Sequence, residues 1–134
     1  MIKNLIFGDM GMTGNDFQKY AMRTNDGNST DRLKNCLEIP AYKSGDLING
    51  VLGLTGEAGE VADMVKKSIF HEKGLNHEHL KRELGDVMWY VALICDACGF
   101  TLDDVMETNV GKLASRYPNG FDIFRANHRE VGDI

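Results

Sequence analysis

Apolar residues recur every three or four positions along most of the chain beyond residue 45, which is the period of an amphipathic helix. Three long helices are predicted, over residues 46–70, 76–98 and 101–117. No part of this region alternates apolar and polar residues with the period of two that marks a half-buried strand. The pattern therefore predicts an all-α fold.

Residues that favour helix ends stand where these helices should begin and stop. Asp46, Asn76 and Thr101 are the predicted N-caps, and Thr101 forms a capping box with Asp104. Gly99 is the expected left-handed residue after the second long helix. These boundaries support three separate helices rather than one long one.

The chain before residue 45 is less regular. Residues 16–24 are predicted to form a short helix, with Thr13 or Asn15 as its cap. Residues 25–31 are rich in turn formers and should be a loop, and residues 32–39 can add a helical turn or two. We expect a helical bundle of about four helices, in one domain spanning residues 1–134. Its core should cover about residues 13–122, with a tail at 123–134.

The composition narrows the class of protein. A chain of 134 residues, 43% hydrophobic and 26% charged, suits one folded domain. Fifteen basic residues against twenty acidic ones give a net charge of −5, without the basic excess of a protein that binds nucleic-acid polymers. The N-terminus lacks a secretory pattern, and no apolar run approaches the roughly 18 residues of a membrane helix. We therefore expect a cytoplasmic protein with no nucleic-acid or membrane partner.

The three cysteines do not suggest a disulfide framework, because their number is odd. Cys95 and Cys98 form a C-x-x-C motif on the apolar stripe of the second long helix. Zinc would need a second pair of ligands, and a thioredoxin-like motif would follow a strand. Core packing is the expected role of this pair.

Four acidic side chains lie beside the apolar stripes of the first two long helices. At 100° per residue, Glu60 lies about 300° around the helix from Glu57, and Asp86 is placed in the same way relative to Glu83. Both pairs flank the core stripe instead of occupying the solvated back of the helix. The 22 residues between Glu60 and Glu83 are long enough for the chain to reverse. We therefore expect the two pairs to face each other.

Converging carboxylates repel one another unless a cation neutralises them. An all-oxygen ligand set suits Mg²⁺ first and Mn²⁺ second. The absence of a Glu-x-x-His motif argues against a di-iron carboxylate site. His71, His77 and His79 fall near the connection between helices and are expected to be exposed. Acidic pairs three residues apart are also common on ordinary solvated helix faces, so geometry alone leaves that alternative open.

These acidic residues stand in segments that together resemble the MazG-like nucleoside triphosphate pyrophosphohydrolases. The segments are Glu57-Ala-Gly-Glu60-Val-Ala-Asp, Glu83-Leu-Gly-Asp86-Val-Met-Trp-Tyr and Asn109-x-x-Lys112-Leu-x-x-x-Arg116-Tyr-Pro. The resemblance covers about residues 16–122. It implies an all-helical enzyme that hydrolyses a (deoxy)nucleoside triphosphate to the monophosphate and pyrophosphate. It also implies a homodimer or homotetramer.

The resemblance implies that Glu57, Glu60, Glu83 and Asp86 are catalytic metal ligands for Mg²⁺. Many relatives have a further glutamate directly before the first Glu-x-x-Glu. This chain has Gly56 there, so it lacks any ligand from that position.

Five further residues are candidates for binding the substrate. Asn109, Lys112 and Arg116 share one face of the third long helix, where the cations suit phosphates and the amide suits a sugar or base. The alternative is a solvated basic helix end stabilised by the helix dipole. Lys67 lies on the side of the acidic pair, whereas Lys66 points away. Tyr90 lies between the acidic side chains of its helix, where it can stack on a base or simply pack.

Two other functions remain compatible with the sequence. One is a dUTPase-like enzyme restricted to uracil nucleotides, because base choice depends on the shape of the pocket. The other is a non-catalytic helical module that binds nucleotides or a partner protein. The intact acidic quartet disfavours the second alternative, since a module without chemistry has little use for it.

Overall fold

The computed structural model describes residues 12–39 and 43–128, which contain helices and no strand. The helices are α1 (Gly14–Met22), α2 (Ser29–Leu37), α3 (Ser44–Phe70), α4 (His77–Cys98), α5 (Leu102–Arg116) and α6 (Ile123–Asn127). The predicted all-α fold is confirmed. The six helices of the described part are roughly consistent with the expected bundle of about four. The two additional ones are short: the turns expected near residue 32 form a full helix, and a five-residue helix lies at the start of the expected tail. The described residues divide between Glu38 and Ile39 into two compact units.

The first unit contains α1 and α2. Thr13 is the N-cap of α1, in a capping box in which its hydroxyl accepts a hydrogen bond from the Asp16 backbone N–H at 3.2 Å. The side-chain and backbone hydrogen bonds from Thr13 lower the pKa of Asp16. Helix α2 begins at Ser29, earlier than predicted, and Arg32 binds the Asp26 carboxylate in the preceding loop.

The ends of α4 and α5 confirm three predicted helix signals. The Asn76 side chain accepts a hydrogen bond from the backbone N–H of His79 at 3.0 Å, which caps α4. Gly99 follows α4 in the left-handed conformation, with φ of 74°. Thr101 and Asp104 form the expected capping box at the start of α5.

The predicted cap of α3 was wrong. Helix α3 begins at Ser44, so Asp46 lies in its first turn rather than at the N-cap. The reason is a contact between elements distant in sequence. The Lys43 backbone N–H donates to the Ala97 carbonyl at 2.9 Å, and the Lys43 Nζ lies 2.7 Å from Asp96 Oδ2. The end of α4 therefore sets the start of α3.

Helices α3 and α4 form an antiparallel hairpin, and theirs is the only extensive helix–helix interface within residues 43–128. Two glycines bring the helices close together. A Cβ added at Gly53 would lie 2.1 Å from the Tyr90 ring, and one at Gly50 would lie 2.7 Å from Ile94 Cγ1. Gly50 is thus next to Ile94 and Gly53 next to Tyr90, so later residues of α3 face earlier residues of α4. The register brings the two acidic pairs opposite each other.

Much of the apolar surface of the second unit is uncovered. Among its described residues, the buried apolar ones are Cys95 and Ala97, at 5% and 2% exposure. The burial of Cys95 is consistent with the expected packing role, and the three cysteines are free thiols. Helix α5 meets α4 at a bend of 102°. None of the described helices alone is long and apolar enough to span a membrane, although α4 and α5 together reach the length and composition of a bent span.

Candidate functional site

Three of the four predicted metal ligands come together where α3 faces α4. One carboxylate oxygen from each of Glu57, Glu60 and Glu83 lies within 4.8 Å of the other two. Glu57 and Glu60 are neighbours because residues three apart share a helix face. Glu83 joins them because the contact of Gly53 with Tyr90 fixes the register of the hairpin. We refer to these three side chains as the acidic cluster.

Asp86, the fourth predicted ligand, lies beside the acidic cluster. It is not one of the three residues whose carboxylate oxygens lie within 4.8 Å of one another. It is exposed, one turn beyond Glu83 on α4. Its charge nevertheless reaches the cluster, because it is among the charges that raise the pKa of Glu57.

The electrostatics of the cluster show how these carboxyl groups oppose one another. Loss of hydration raises the pKa of Glu57, and the charges of Glu60, Asp86 and Glu83 raise it further. A hydrogen bond with Glu83 acts in the same direction. A divalent cation bound among these carboxylates would offset their mutual repulsion. Since the donors are all carboxylate oxygens, the residues present fit a hard cation such as Mg²⁺.

Glu83 is the buried member of the cluster, with 8% of its surface exposed. Its Oε1 lies 2.7 Å from Nε2 of His79, one turn earlier on α4. His79 is exposed, as predicted, but its contact with Glu83 was not predicted from the sequence. The signal was nevertheless in the sequence, since a separation of four residues places two side chains on one helix face.

A second pattern of charges lies next to the cluster on α3. The ammonium groups of Lys66 and Lys67 both bind the carboxylate of Asp63. These hydrogen bonds lower the pKa of Asp63 to about 2. Asp63 was not predicted as a site residue, although it follows Glu60 by three residues. Lys67 was predicted to point toward the acidic pair and Lys66 to point away from it. Their ion pairs do not show this difference, because both lysines bind the same carboxylate.

The predicted substrate-binding residues on α5 are not brought to the cluster by helix packing. Asn109 and Lys112 are exposed, and Arg116 is half-buried near the end of the helix. The Arg116 carbonyl accepts a hydrogen bond from Arg125 at 3.5 Å. Their role in the site stays a prediction, because α5 makes no extensive interface with α3 or α4.

Tyr90 has a visible packing role. It is half-buried, lies over Gly53 and meets the Trp89 ring edge-on, with 4.9 Å between the ring centroids. Trp89 is 58% exposed on the outer side of α4. Binding of a base by Tyr90 stays a prediction.

The family model for the MazG nucleotide pyrophosphohydrolase domain matches residues 49–121, which is just over half of the chain. The matched region contains most of α3, the whole of α4 and α5, and all four acidic residues. The chain belongs to the MazG family. The family resemblance noted in the sequence is thereby confirmed, and the all-helical fold agrees with it.

A relative of this MazG chain is the Gene 37 protein of Mycobacterium phage L5. The two are 44% identical over 73 residues, which cover 52% of this chain and 64% of the phage protein. The match thus spans less than two thirds of the length of that relative. No solved structure matched the chain significantly.

Proposed function

We propose that this MazG-family chain is a Mg²⁺-dependent pyrophosphohydrolase that converts a ribo- or deoxyribonucleoside triphosphate and water to the monophosphate and pyrophosphate. The observation that carries the proposal is the convergence of Glu57, Glu60 and Glu83 within 4.8 Å inside the region that matches the family. Nucleotides occur in the cytoplasm, which is where we place the activity.

The acidic cluster, with Asp86 beside it, would hold the metal ion. When bound, Mg²⁺ supplies positive charge for the phosphate oxygens and acidifies water. Mn²⁺ is the expected substitute, because it also accepts oxygen ligands. Loss of hydration and the charges of the neighbouring carboxylates raise the pKa of Glu57, and the mutual repulsion of these charges favours occupation by a cation.

The reaction that we propose is hydrolysis at the α-phosphorus. The oxygen of water forms a bond to this phosphorus, the bond to the bridging oxygen breaks, and pyrophosphate leaves. A carboxylate of the acidic cluster accepts the proton of the water molecule as general base. The half-buried hairpin surface around Glu57 and Glu83 reduces the screening of these charges by solvent.

Substrate binding is assigned to residues around the cluster. Lys67, which Asp63 holds on the same helix, would bind phosphate oxygens together with Lys112 and Arg116 of α5. Asn109 would contact the sugar or base, and Tyr90 would contact the base. These roles follow the chemistry of the side chains and the motif of the family.

The proposal is tested with a panel of ribo- and deoxyribonucleoside triphosphates in Mg²⁺, with pyrophosphate and orthophosphate measured separately. Pyrophosphate with a stoichiometric monophosphate is the expected product. Turnover of uracil nucleotides alone would support the dUTPase-like alternative. Nucleotide binding without turnover would support a non-catalytic module, and orthophosphate as the sole product would contradict hydrolysis at the α-phosphorus.

We further propose that the chain forms a homodimer or homotetramer. Exposed apolar side chains lie along the outside of both helices of the hairpin. They are Val51, Val65 and Ile69 on α3 and Leu84 and Met88 on α4, each at least 39% exposed. These residues lie about 80–140° around the helix axis from Glu57 on α3 and from Glu83 on α4.

Because the helices run antiparallel, the same rotation on each places both apolar stripes on one face of the hairpin. Glu60 and Asp86 are turned in the opposite sense, by about 60°. The hairpin thus has an apolar face and an acidic side, and a second copy of the chain would cover the apolar face. Light scattering during size-exclusion chromatography should give the mass of a dimer or tetramer, and a monomer at micromolar concentration would contradict this assembly.

A further inference from the structure

The contact between His79 and Glu83 connects the acidic cluster to the first turn of α4. The side chain of Glu83 is 10% exposed, whereas that of His79 is 54% exposed, and 2.7 Å separates Nε2 from Oε1. The histidine therefore lies at the solvent edge of the cluster and reaches inward to its most buried carboxylate.

We infer that His79 is a positioning residue: its imidazole holds the Glu83 carboxylate in the orientation that binds the divalent cation. The inference rests on the proposed function, because it assigns a role within the same metal site. It concerns a contact outside the Glu-x-x-Glu and Glu-x-x-Asp motifs of the chain.

The repulsion within the cluster explains why Glu83 needs such a partner. Glu57 and Glu60 face Glu83 from α3. A protonated Glu57 shares a hydrogen bond with Glu83, but once the carboxylates are ionised and no cation is bound, their charges push the Glu83 carboxylate away. A glutamate side chain has several rotatable bonds, so repulsion can turn it out of the site. The Nε2–H of a neutral imidazole donates to one carboxylate oxygen, and the carboxylate keeps lone pairs for a metal ion.

The main chain fixes the place from which His79 acts. Its backbone N–H donates to Oδ1 of Asn76, the residue that caps α4. This hydrogen bond involves no side-chain atom of His79, so it persists when the imidazole is replaced. Hydrogen bonds from outer groups to metal ligands typically change metal affinity by 10–100-fold.

The experiment measures Mn²⁺ binding to the full chain, by the electron paramagnetic resonance signal of free Mn²⁺. His79→Leu removes the donor and should weaken Mn²⁺ binding about tenfold or more. His79→Gln keeps an N–H donor at the same helical position and should restore most of the affinity. His77→Leu, a change at an exposed histidine two residues away, is the matched control and should bind like the wild type.

Two further measurements separate positioning from other roles. The metal-free variants should share the melting temperature of the wild type within a few degrees. The bound Mn²⁺ spectrum should lack ¹⁴N coupling, because His79 acts through Glu83. Direct ligation by the imidazole, seen as ¹⁴N coupling that His79→Leu removes, would overturn the positioning role. Equal weakening by His79→Leu and His79→Gln would also overturn it.

The outcomes distinguish this inference from the proposed function. If wild-type Mn²⁺ affinity is lost in Glu83→Gln but kept in His79→Leu, the metal site stands and the role of His79 is wrong. If Glu83→Gln binds Mn²⁺ as well as the wild type does, the site itself is wrong and the inference fails with it.

Discussion

Helices α4 and α5 have equally clear capping signals in the sequence, yet within residues 43–128 only the hairpin of α3 and α4 has an extensive interface. Asn76 caps α4, and the Thr101–Asp104 box caps α5. Caps depend on neighbouring residues, so they determine where a helix begins but not what covers it. The hairpin pairs because Gly50 and Gly53 admit Ile94 and Tyr90 at close range.

The proposed metal-binding and phosphate-binding residues lie in these two different regions. The carboxylates that would hold the metal ion belong to the packed hairpin, whereas Lys112 and Arg116, proposed to bind phosphates, belong to α5. The hairpin alone therefore brings metal ligands together. Substrate binding by α5 requires that helix to approach the same site, in this copy of the chain or from another.

The largest effect should come from removing a carboxylate of the hairpin. Glu60→Ala or Asp86→Ala should fold normally, weaken Mg²⁺ binding and lower the turnover number by at least about 10²–10³-fold. Lys81→Ala is the control on α4, because Lys81 pairs with Glu78 on the exposed surface. Steady-state release of pyrophosphate measures the effect. Turnover by Asp86→Ala at the wild-type rate would show that Asp86 is not part of the site.

The next largest effect should be on the free energy of unfolding. Glycine substitutions in the hairpin and in α5 compare the packing of these two regions directly. Gly53→Ala puts a Cβ into the Tyr90 ring and should lower the free energy of unfolding by about 1–3 kcal/mol. Gly111→Ala on α5 is the matched change, because a Cβ there meets no described atom within 4 Å. It should raise stability by about 0.5–1 kcal/mol, since alanine favours helix. Urea unfolding measures both.

The opposite result at either glycine would be informative. An unchanged stability in Gly53→Ala would contradict the close approach of the hairpin helices. A large destabilisation in Gly111→Ala would show that α5 packs at that position against another part of the protein or another copy.

A smaller effect should test whether α5 acts in the site. Lys112→Ala and Arg116→Ala should each lower kcat/KM by roughly tenfold, because a hydrogen bond to a charged group is worth about 1.5 kcal/mol or more. Mn²⁺ affinity without nucleotide should stay at the wild-type level, since the metal ligands lie on the hairpin. A wild-type kcat/KM in both variants would confine the active site to α3 and α4.

The smallest effect should be a shift of a few degrees in the melting temperature of metal-free protein. Burial and neighbouring charges raise the pKa of Glu57, so ionised Glu57 destabilises the folded state as the pH rises through its folded pKa. Glu57→Gln should therefore melt higher than the wild type at pH 7, and the difference should fade in acid. Mg²⁺ should stabilise the wild type but not the variant. A lower melting temperature for metal-free Glu57→Gln at pH 7 would contradict the repulsion.

The pKa of Asp63 is shifted in the opposite direction to that of Glu57, so Asp63 affects stability in acid instead. Its pKa is lowered to about 2, from an ordinary value of 3.8, by Lys66 and Lys67. Its contribution to stability is thus complete above the ordinary pKa and is lost as the pH falls toward 2.

The features that the sequence predicted correctly are those that neighbouring residues determine. Asn76, Gly99 and the Thr101–Asp104 box act within one turn of their helix, so their positions follow from the order of residues. The start of α3 could not be predicted in this way. It depends on the contact of Lys43 with the end of α4, more than fifty residues away in the chain.

In the candidate site, too, some features depend on neighbouring residues and others on contacts between distant parts of the chain. The spacing of the acidic pairs placed them at the core edge of each helix, but the register that joins Glu57 to Glu83 depends on the fit of Tyr90 over Gly53. His79 could have been recognised from its spacing to Glu83. That spacing does not reveal whether the imidazole turns toward solvent or toward the carboxylate.

The acidic cluster also bears on how the chain folds. Glu57 and Glu83 belong to helices joined by one short connection at residues 71–76. Contacts between such sequence neighbours need little loop closure and form quickly. The hairpin must nevertheless bring like charges together as it closes, so the cluster opposes the step that creates it. A cation that shields these charges should therefore accelerate refolding itself, in addition to slowing unfolding.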